Sequence, residues 1–295
     1  MYKLLALDMD GTLLNPDKMI TPHTMAAIRR LMQEDVLVTI ASGRFPASVW
    51  LHAREVGMNF PLVALNGAVT LDATTGELLE GTPLLSEQVL SLLERIEEAG
   101  AYVHFYGYNV LYVRELNDMN RRWPLNNVVV RPQRELNEAN YRDQTMLIQV
   151  KDVGGDFRSF VQDRHPVFYK AAVICPDHDS REQLYMELER HGSYELSRTG
   201  TLRFDVNAAG VTKRGALERL CAQHDIGREA VAAAGDYDND LDMLQWAGLG
   251  IAMGNAELHV KERAAVVTGT NREDGVAQAI QGYLLRSGLT ATSES

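Results

Sequence analysis

Four short apolar runs constrain this chain more than anything else in it: Lys3–Leu7 (KLLAL), Val36–Ile40 (VLVTI), Pro61–Leu65 (PLVAL) and Ala230–Ala234 (AVAAA). They are too short for buried helices and show no polar alternation, so they read as strands covered on both faces, as in a parallel sheet. Helical signals lie between them. Thr21-Pro22 offers an N-cap followed by proline at the first helical position, and Met25, Ile28, Leu31 and Met32 then form one apolar face. Pro46–Val56 reads as a second helix. Strand and helix in alternation predict an α/β fold, a doubly wound Rossmann-like parallel sheet.

The rhythm changes after Asn66-Gly67. Val69–Leu71 and Leu78–Glu80 flank a turn-like Ala73-Thr74-Thr75-Gly76 and suggest a hairpin, and Ser86 opens a helix with Val89, Leu92, Leu93 and Ile96 on one face. From Tyr102 to Val206 the strand-like segments YVHFY, VLYV, MLIQV, FYKAAVI and LRFDV are more polar, with helices expected at Asp156–Gln162 and Arg181–His191. This is the pattern of an α+β module whose sheet is exposed on one face. The α/β rhythm returns at Thr212, with a helix from Lys213 to His224, the AVAAA strand and a helix at Asp240–Trp246. The expectation is a core built from residues 1–84 and 207–295, with residues 85–206 inserted as an α+β cap domain. Ser287–Ser295 reads as a loose tail.

The net charge of -11 works against nucleic acid and anionic membranes as partners. It would also repel a phosphate substrate unless a local cationic site offsets it. Cys175 and Cys221 form no CxxC pair, so neither a disulfide framework nor a zinc site is expected, and a cytoplasmic setting fits. Acids interrupt the N-terminal apolar stretch too early for a signal peptide, and no apolar run approaches the ~20 residues of a membrane span.

Four segments carry candidate chemistry. Asp8-Met9-Asp10-Gly11-Thr12 follows KLLAL directly, which places two carboxylates at one strand end, where open α/β sheets bind ligands. One could act as nucleophile and the other as acid/base, although DG is also a common turn pair. Ser42 and Gly43 follow VLVTI and could offer a hydroxyl and backbone N–H groups to phosphate oxygens; an ordinary strand-to-helix turn has the same composition. Lys213 opens a helix, against the macrodipole, so it is either a solvated lysine or the partner of a nearby anion. Gly235-Asp236-Tyr237-Asp238-Asn239-Asp240 follows AVAAA and packs acids that a hard divalent cation such as Mg²⁺ would relieve, with Asp238 alternatively capping the next helix.

Taken together, DMDGT, SGR, GVTK and GDYDND, in that order, resemble the haloacid dehalogenase superfamily, and within it the Cof-type branch of sugar-phosphatase-like hydrolases. LNGA at Leu65–Ala68, GLGIAMGNA at Gly248–Ala256 and NREDGVAQAI at Asn271–Ile280 extend the resemblance from Leu4 to Leu285. It implies a phosphatase in which Asp8 attacks phosphorus and Asp10 serves as general acid and then base. Mg²⁺ would be held by Asp8, the Asp10 backbone carbonyl and Asp236, with Asp240 in support. Ser42, Gly43, Lys213 and Asn239 would bind the phosphoryl group of a small phosphorylated metabolite, a sugar phosphate or a phosphorylated cofactor. The insert would be a cap closing over the core, with His104, Tyr106, Tyr108 and Tyr112 as candidate contacts and Trp50, Trp123 and Trp246 as packing. A phosphomutase, or a sensor that binds without turnover, are the alternatives; a sensor would have no need of the acid/base at Asp10.

Overall fold

The structure is a computed structural model and describes residues 1–127 and 147–285. The chain order is β1 (Leu4–Leu7), α1 (Pro22–Gln33), β2 (Leu37–Ile40), α2 (Pro46–Val56), β3 (Leu62–Ala64), β4 (Val69–Leu71), β5 (Leu78–Gly81), α3 (Ser86–Glu98), β6 (Tyr102–Tyr106), β7 (Val110–Val113), α4 (Asp118–Asn127) and β8 (Gln149–Asp152). It continues through α5 (Phe157–Arg164), β9 (Lys170–Ile174), α6 (His178–His191), β10 (Tyr194–Gly200), β11 (Arg203–Ala208), α7 (Lys213–Gln223), β12 (Val231–Gly235), α8 (Leu241–Trp246), β13 (Leu249–Ala252), α9 (Leu258–Lys261), β14 (Val266–Val267) and α10 (Gly275–Ala279). The expected tail at Ser287–Ser295 and Met146 of the MLIQV segment lie outside the described residues.

The core sheet runs β14-β13-β12-β1-β2 and is parallel throughout. Its central strand explains the sequence pattern: Leu4, Leu5, Ala6 and Leu7 are all buried, because helices cover both faces. Each of those leucines contributes about 1.5–3 kcal/mol through burial. The chain leaves β1 toward β2 on one side and later returns as β12 on the other. The carboxyl ends of β1 and β12 therefore flank the topological switch point, the position where open α/β sheets form a crevice.

The first helix starts as its sequence dictates. The Thr21 hydroxyl accepts from the Thr24 N–H and Pro22 occupies the first turn. Two distant segments fix the loop after β1. Asn255 Nδ2 donates to the Gly11 carbonyl and Asn271 Nδ2 to the Leu14 carbonyl, each at 2.8 Å. This gives a physical reason for the MGNA and NRED segments to accompany the DMDGT loop.

β3 departs from the expected third member of the parallel sheet. It touches that sheet through one parallel bridge, Ala41 with Val63, and pairs antiparallel with β4, which pairs with β5. The tight turn at Leu65–Gly67 reverses the chain before a crossover helix can form.

The insert forms a six-stranded sheet in the order β10-β11-β9-β6-β7-β8, antiparallel except where β7 meets β8. β10 has no counterpart among the strands expected from sequence. It is half-buried along nearly its whole length and, apart from Tyr194 and Leu196, carries no apolar residue, so it lacks the apolar signal of its neighbours. Among the described residues, no helix is long and apolar enough to cross a membrane.

Candidate active site

The loop after β1 turns sharply at Gly11, whose φ is +82°. A Cβ there would collide with the Asp236 carboxylate, so glycine is required both for the turn and for the approach of Asp236. Asp236 stands at the end of β12, across the crevice from Asp8 at the end of β1. The Thr12 hydroxyl donates to Asp236 at 2.8 Å and steadies it.

Lys213 is the first residue of α7 and is buried. Its ammonium lies 2.6 Å from both Asp8 Oδ1 and Asp240 Oδ1. The unfavourable helix-start position is thus answered by two anions. The other Asp240 oxygen accepts from the backbone N–H groups of Asp236 and Tyr237. Asp238, considered a possible helix cap, instead meets His259 at 2.5 Å.

Oxygens of Asp8, Asp236 and Asp240 lie within 4.8 Å of one another. This crowding has an electrostatic signature. Burial, and then Asp240, push the Asp8 carboxyl well above the usual range, against the pull of Lys213. Burial and Asp240 also push Asp236 up to about 7. Burial alone would lower the Lys213 pKa, but Asp240 and Asp8 outweigh it and hold the ammonium charged. Three hard carboxylates short of positive charge suit a hard divalent cation. Asp240, with both oxygens already engaged, is the least available of the three.

Asp10 points the other way. Its carboxylate takes a bidentate pair from Arg44, Nε to Oδ2 and Nη2 to Oδ1, both at 2.6 Å, and Lys18 adds a third contact at 2.5 Å. Burial would raise its pKa, but Arg44 and then Lys18 hold it far below the usual carboxylate range. In this geometry Asp10 is a carboxylate, not the acid that an expected first proton transfer needs.

Ser42 and Gly43 follow β2, with the Ser42 hydroxyl accepting from the Arg44 N–H. Asn239 Nδ2 reaches the Asn66 carbonyl oxygen at 3.4 Å. Asp8, Asp10, Ser42, Gly43, Asn239 and Asp236 all line one cavity of about 500 Å³ between the core and the insert, and Lys213 sits against Asp8 beneath it.

The family model for haloacid dehalogenase-like hydrolases matches residues 5–280. The chain belongs to the haloacid dehalogenase-like hydrolases. It is 30% identical to the 5-amino-6-(5-phospho-D-ribitylamino)uracil phosphatase YcsE of Bacillus subtilis, over 96% of each chain. It is 28% identical to the pyridoxal phosphate phosphatase YbhA of Escherichia coli, over 96% of this chain and 99% of that one. Among solved structures, a haloacid dehalogenase-like hydrolase from B. subtilis superposes with a TM-score of 0.80 at 26% identity, covering 96% of this chain and all of its own.

Several residues of this hydrolase that line or brace the cavity carried no role in the sequence reading. Asn66 is buried with a left-handed backbone, φ +62°, next to Leu65 at φ +51°. Non-glycine residues held there store strain, a feature that clusters at functional sites. Asn66 donates to Asp205 and Asn207 of the insert at 3.1 and 3.3 Å, and a Cβ on Gly43 would lie 2.6 Å from its oxygen. Lys170, on β9, donates to the Gly43 carbonyl at 2.8 Å and to Asp205 at 2.7 Å. The signal available was a lysine inside the apolar segment FYKAAVI.

The candidate cap contacts separate. Tyr106 lines the cavity. His104 is buried, edge-on to Trp123, with neither ring nitrogen hydrogen-bonded. Tyr108 donates to the Gly76 carbonyl, and Tyr112 packs edge-on against Phe168. Trp50 lies under Arg54 and Trp246 is buried, in keeping with packing roles. Trp123, expected only to pack, also lines the cavity and donates from Nε1 to the Tyr106 hydroxyl at 2.5 Å.

Proposed function

We propose that this chain is a Mg²⁺-dependent phosphatase of a small phosphorylated metabolite, with Asp8 as nucleophile. The observation that carries the reading is the pairing across the switch point: Asp8 and Asp236 face one crevice, with Lys213 clamped between Asp8 and Asp240. The relatives named above are phosphatases of a ribitylaminouracil phosphate and of pyridoxal phosphate, which supports a phosphorylated cofactor or cofactor precursor as substrate class.

Asp8 attacks phosphorus in line with the leaving oxygen, forming an aspartyl-phosphate as the P–O bond to the leaving alcohol breaks. The carboxylates of Asp8 and Asp236, with the Asp10 backbone carbonyl, would hold a Mg²⁺ ion, which would neutralise charge on the phosphoryl group and keep Asp8 ionised. Lys213, Asn239, the Ser42 hydroxyl and the backbone at Gly43 hold the phosphoryl oxygens. Asp10 takes a proton from the attacking water in the second step, for which its carboxylate form is ready. In the first step it must instead donate one to the leaving alcohol. Its bidentate pair with Arg44 therefore has to loosen when substrate enters. The insert, residues 85–206, covers the crevice and limits water.

Hydrolysis of p-nitrophenyl phosphate with and without Mg²⁺ tests the assignment. Asp8→Asn should lose ~10³-fold or more while keeping the wild-type circular dichroism spectrum. Activity retained in that variant overturns the nucleophile assignment.

A further inference from the structure

The cavity cations are not equivalent. Lys18 and Arg44 are spent on Asp10, Lys170 on Asp205, and Lys213 on Asp8 and Asp240. Arg203, on β11 of the insert, also lines the cavity. Its bonds go only to a neutral residue: Nε donates to the Thr199 hydroxyl at 3.1 Å and Nη2 to the Thr199 carbonyl at 3.0 Å. Its guanidinium stacks over Trp123 at 5.2 Å from the ring centroid. Among the described residues, no carboxylate pairs with it.

This is the arrangement of a preorganised anion reader. Two bonds and an aromatic face fix the guanidinium plane, so little rotamer freedom remains to be lost on binding. Nη1 and one hydrogen of Nη2 remain as an end-on fork, matching the spacing of two oxygens on a carboxylate or phosphate. Trp123 is itself oriented by its bond to Tyr106. An unpaired cation facing a substrate cavity in a chain of net charge -11 is explained by an anion that arrives with the ligand. The phosphoryl group under attack is met instead by Lys213 and the core loops.

We infer that the preferred substrate carries a second oxyanion on its leaving alcohol, a carboxylate or another phosphate, and that Arg203 binds it and sets specificity. The inference rests on the phosphatase reading and deepens it. A charge-assisted bidentate contact implies roughly a 10- to 100-fold preference for the anion-bearing member of a matched pair.

Two pairs test this in the full chain with Mg²⁺: 3-phosphoglycerate against glycerol 3-phosphate, and glucose 1,6-bisphosphate against glucose 6-phosphate. In wild type, kcat/KM should favour the anion-bearing member of at least one pair by that factor. Which pair responds separates a carboxylate from a second phosphate. Arg203→Gln should bring the ratio close to one, chiefly through KM, and Arg203→Lys, which keeps the charge but not the fork, should leave an intermediate ratio. Hydrolysis of p-nitrophenyl phosphate reports folding and chemistry in each variant, since its leaving group carries no second anion. Wild type without preference in either pair, or an unchanged ratio in Arg203→Gln, overturns the inference. Wild type inert toward p-nitrophenyl phosphate and every pair overturns the phosphatase reading instead.

Discussion

Lys213→Met is the most informative single change, because it removes one charge and little else. The methionine retains the length and most of the volume of the buried stem. What disappears is an ammonium 2.6 Å from each of two buried carboxylates. Breaking a buried ion pair by deleting one partner costs about 3–5 kcal/mol, since the remaining charge is left without compensation. For a chain of this size each kcal/mol lowers Tm by roughly 2–4 °C, so the metal-free variant should melt about 6–20 °C below wild type. Protonation of Asp8 limits the loss. Burial and Asp240 already raise its pKa, and removing Lys213 removes what pulls it down. The folded variant then binds a proton that the unfolded chain has released, so its stability falls as pH rises above the ordinary carboxylate range. The gap between variant and wild type should therefore widen as pH rises above the ordinary carboxylate range. Excess Mg²⁺ should narrow it by supplying the missing positive charge. Turnover of an aryl phosphate should fall by about 10²–10³-fold, the scale of losing a buried charge stabiliser. Melting in EDTA, repeated across pH and with Mg²⁺, measures all of this. A variant that melts within about 1 °C of wild type at every pH, or a gap that narrows as pH rises, refutes the electrostatic account of the site.

Two further outcomes are expected. EDTA should abolish hydrolysis and Mg²⁺ restore it, and Asp236→Asn should raise the Mg²⁺ concentration for half-maximal rate by about tenfold or more; hydrolysis indifferent to EDTA excludes the metal role. Burial lowers His104 to about 3, so the unfolded chain binds a proton that the folded one refuses, and stability drains away as pH falls below about 6.5. The loss from this ring is about 2 kcal/mol at pH 5, and His104→Phe should remove it; identical acid sensitivity of Tm in variant and wild type counts against it.

The parts of the molecule legible in sequence are those fixed by local chemistry. β1 announced itself because both its faces are buried, and Asp8 because it follows that strand. Thr21-Pro22 marked a helix start that formed as written. Lys213 was legible as an anomaly, a cation at the wrong end of a helix, and the anomaly pointed to its anions. What sequence hid depends on the insert meeting the core. Lys170 and Gly43 are 127 positions apart, and Asn66 and Asp205 are 139 apart. No spacing rule predicts such pairs, because the way the insert packs on the core decides them. Arg44 was visible in the SGR segment, but nothing local shows that its side chain turns back to Asp10. β10 was missed for the opposite reason: a half-exposed strand at the edge of its sheet carries little apolar patterning to read.

Charge distribution within the site accounts for how so acidic a chain can handle phosphate. On one side of the crevice, Asp8, Asp236 and Asp240 share the single ammonium of Lys213. Ionised, they leave two negative charges uncompensated, which is the charge of one divalent cation. On the other side, Asp10 alone faces both Arg44 and Lys18, so positive charge is in excess. A phosphate ester entering between them would meet excess positive charge on one side and carboxylates short of positive charge on the other. The net charge of -11 therefore says little about the site. The local imbalance gives the crevice a direction, and under the proposed mechanism Asp10, held as a carboxylate by Arg44 and Lys18, is the residue that would have to gain and lose a proton.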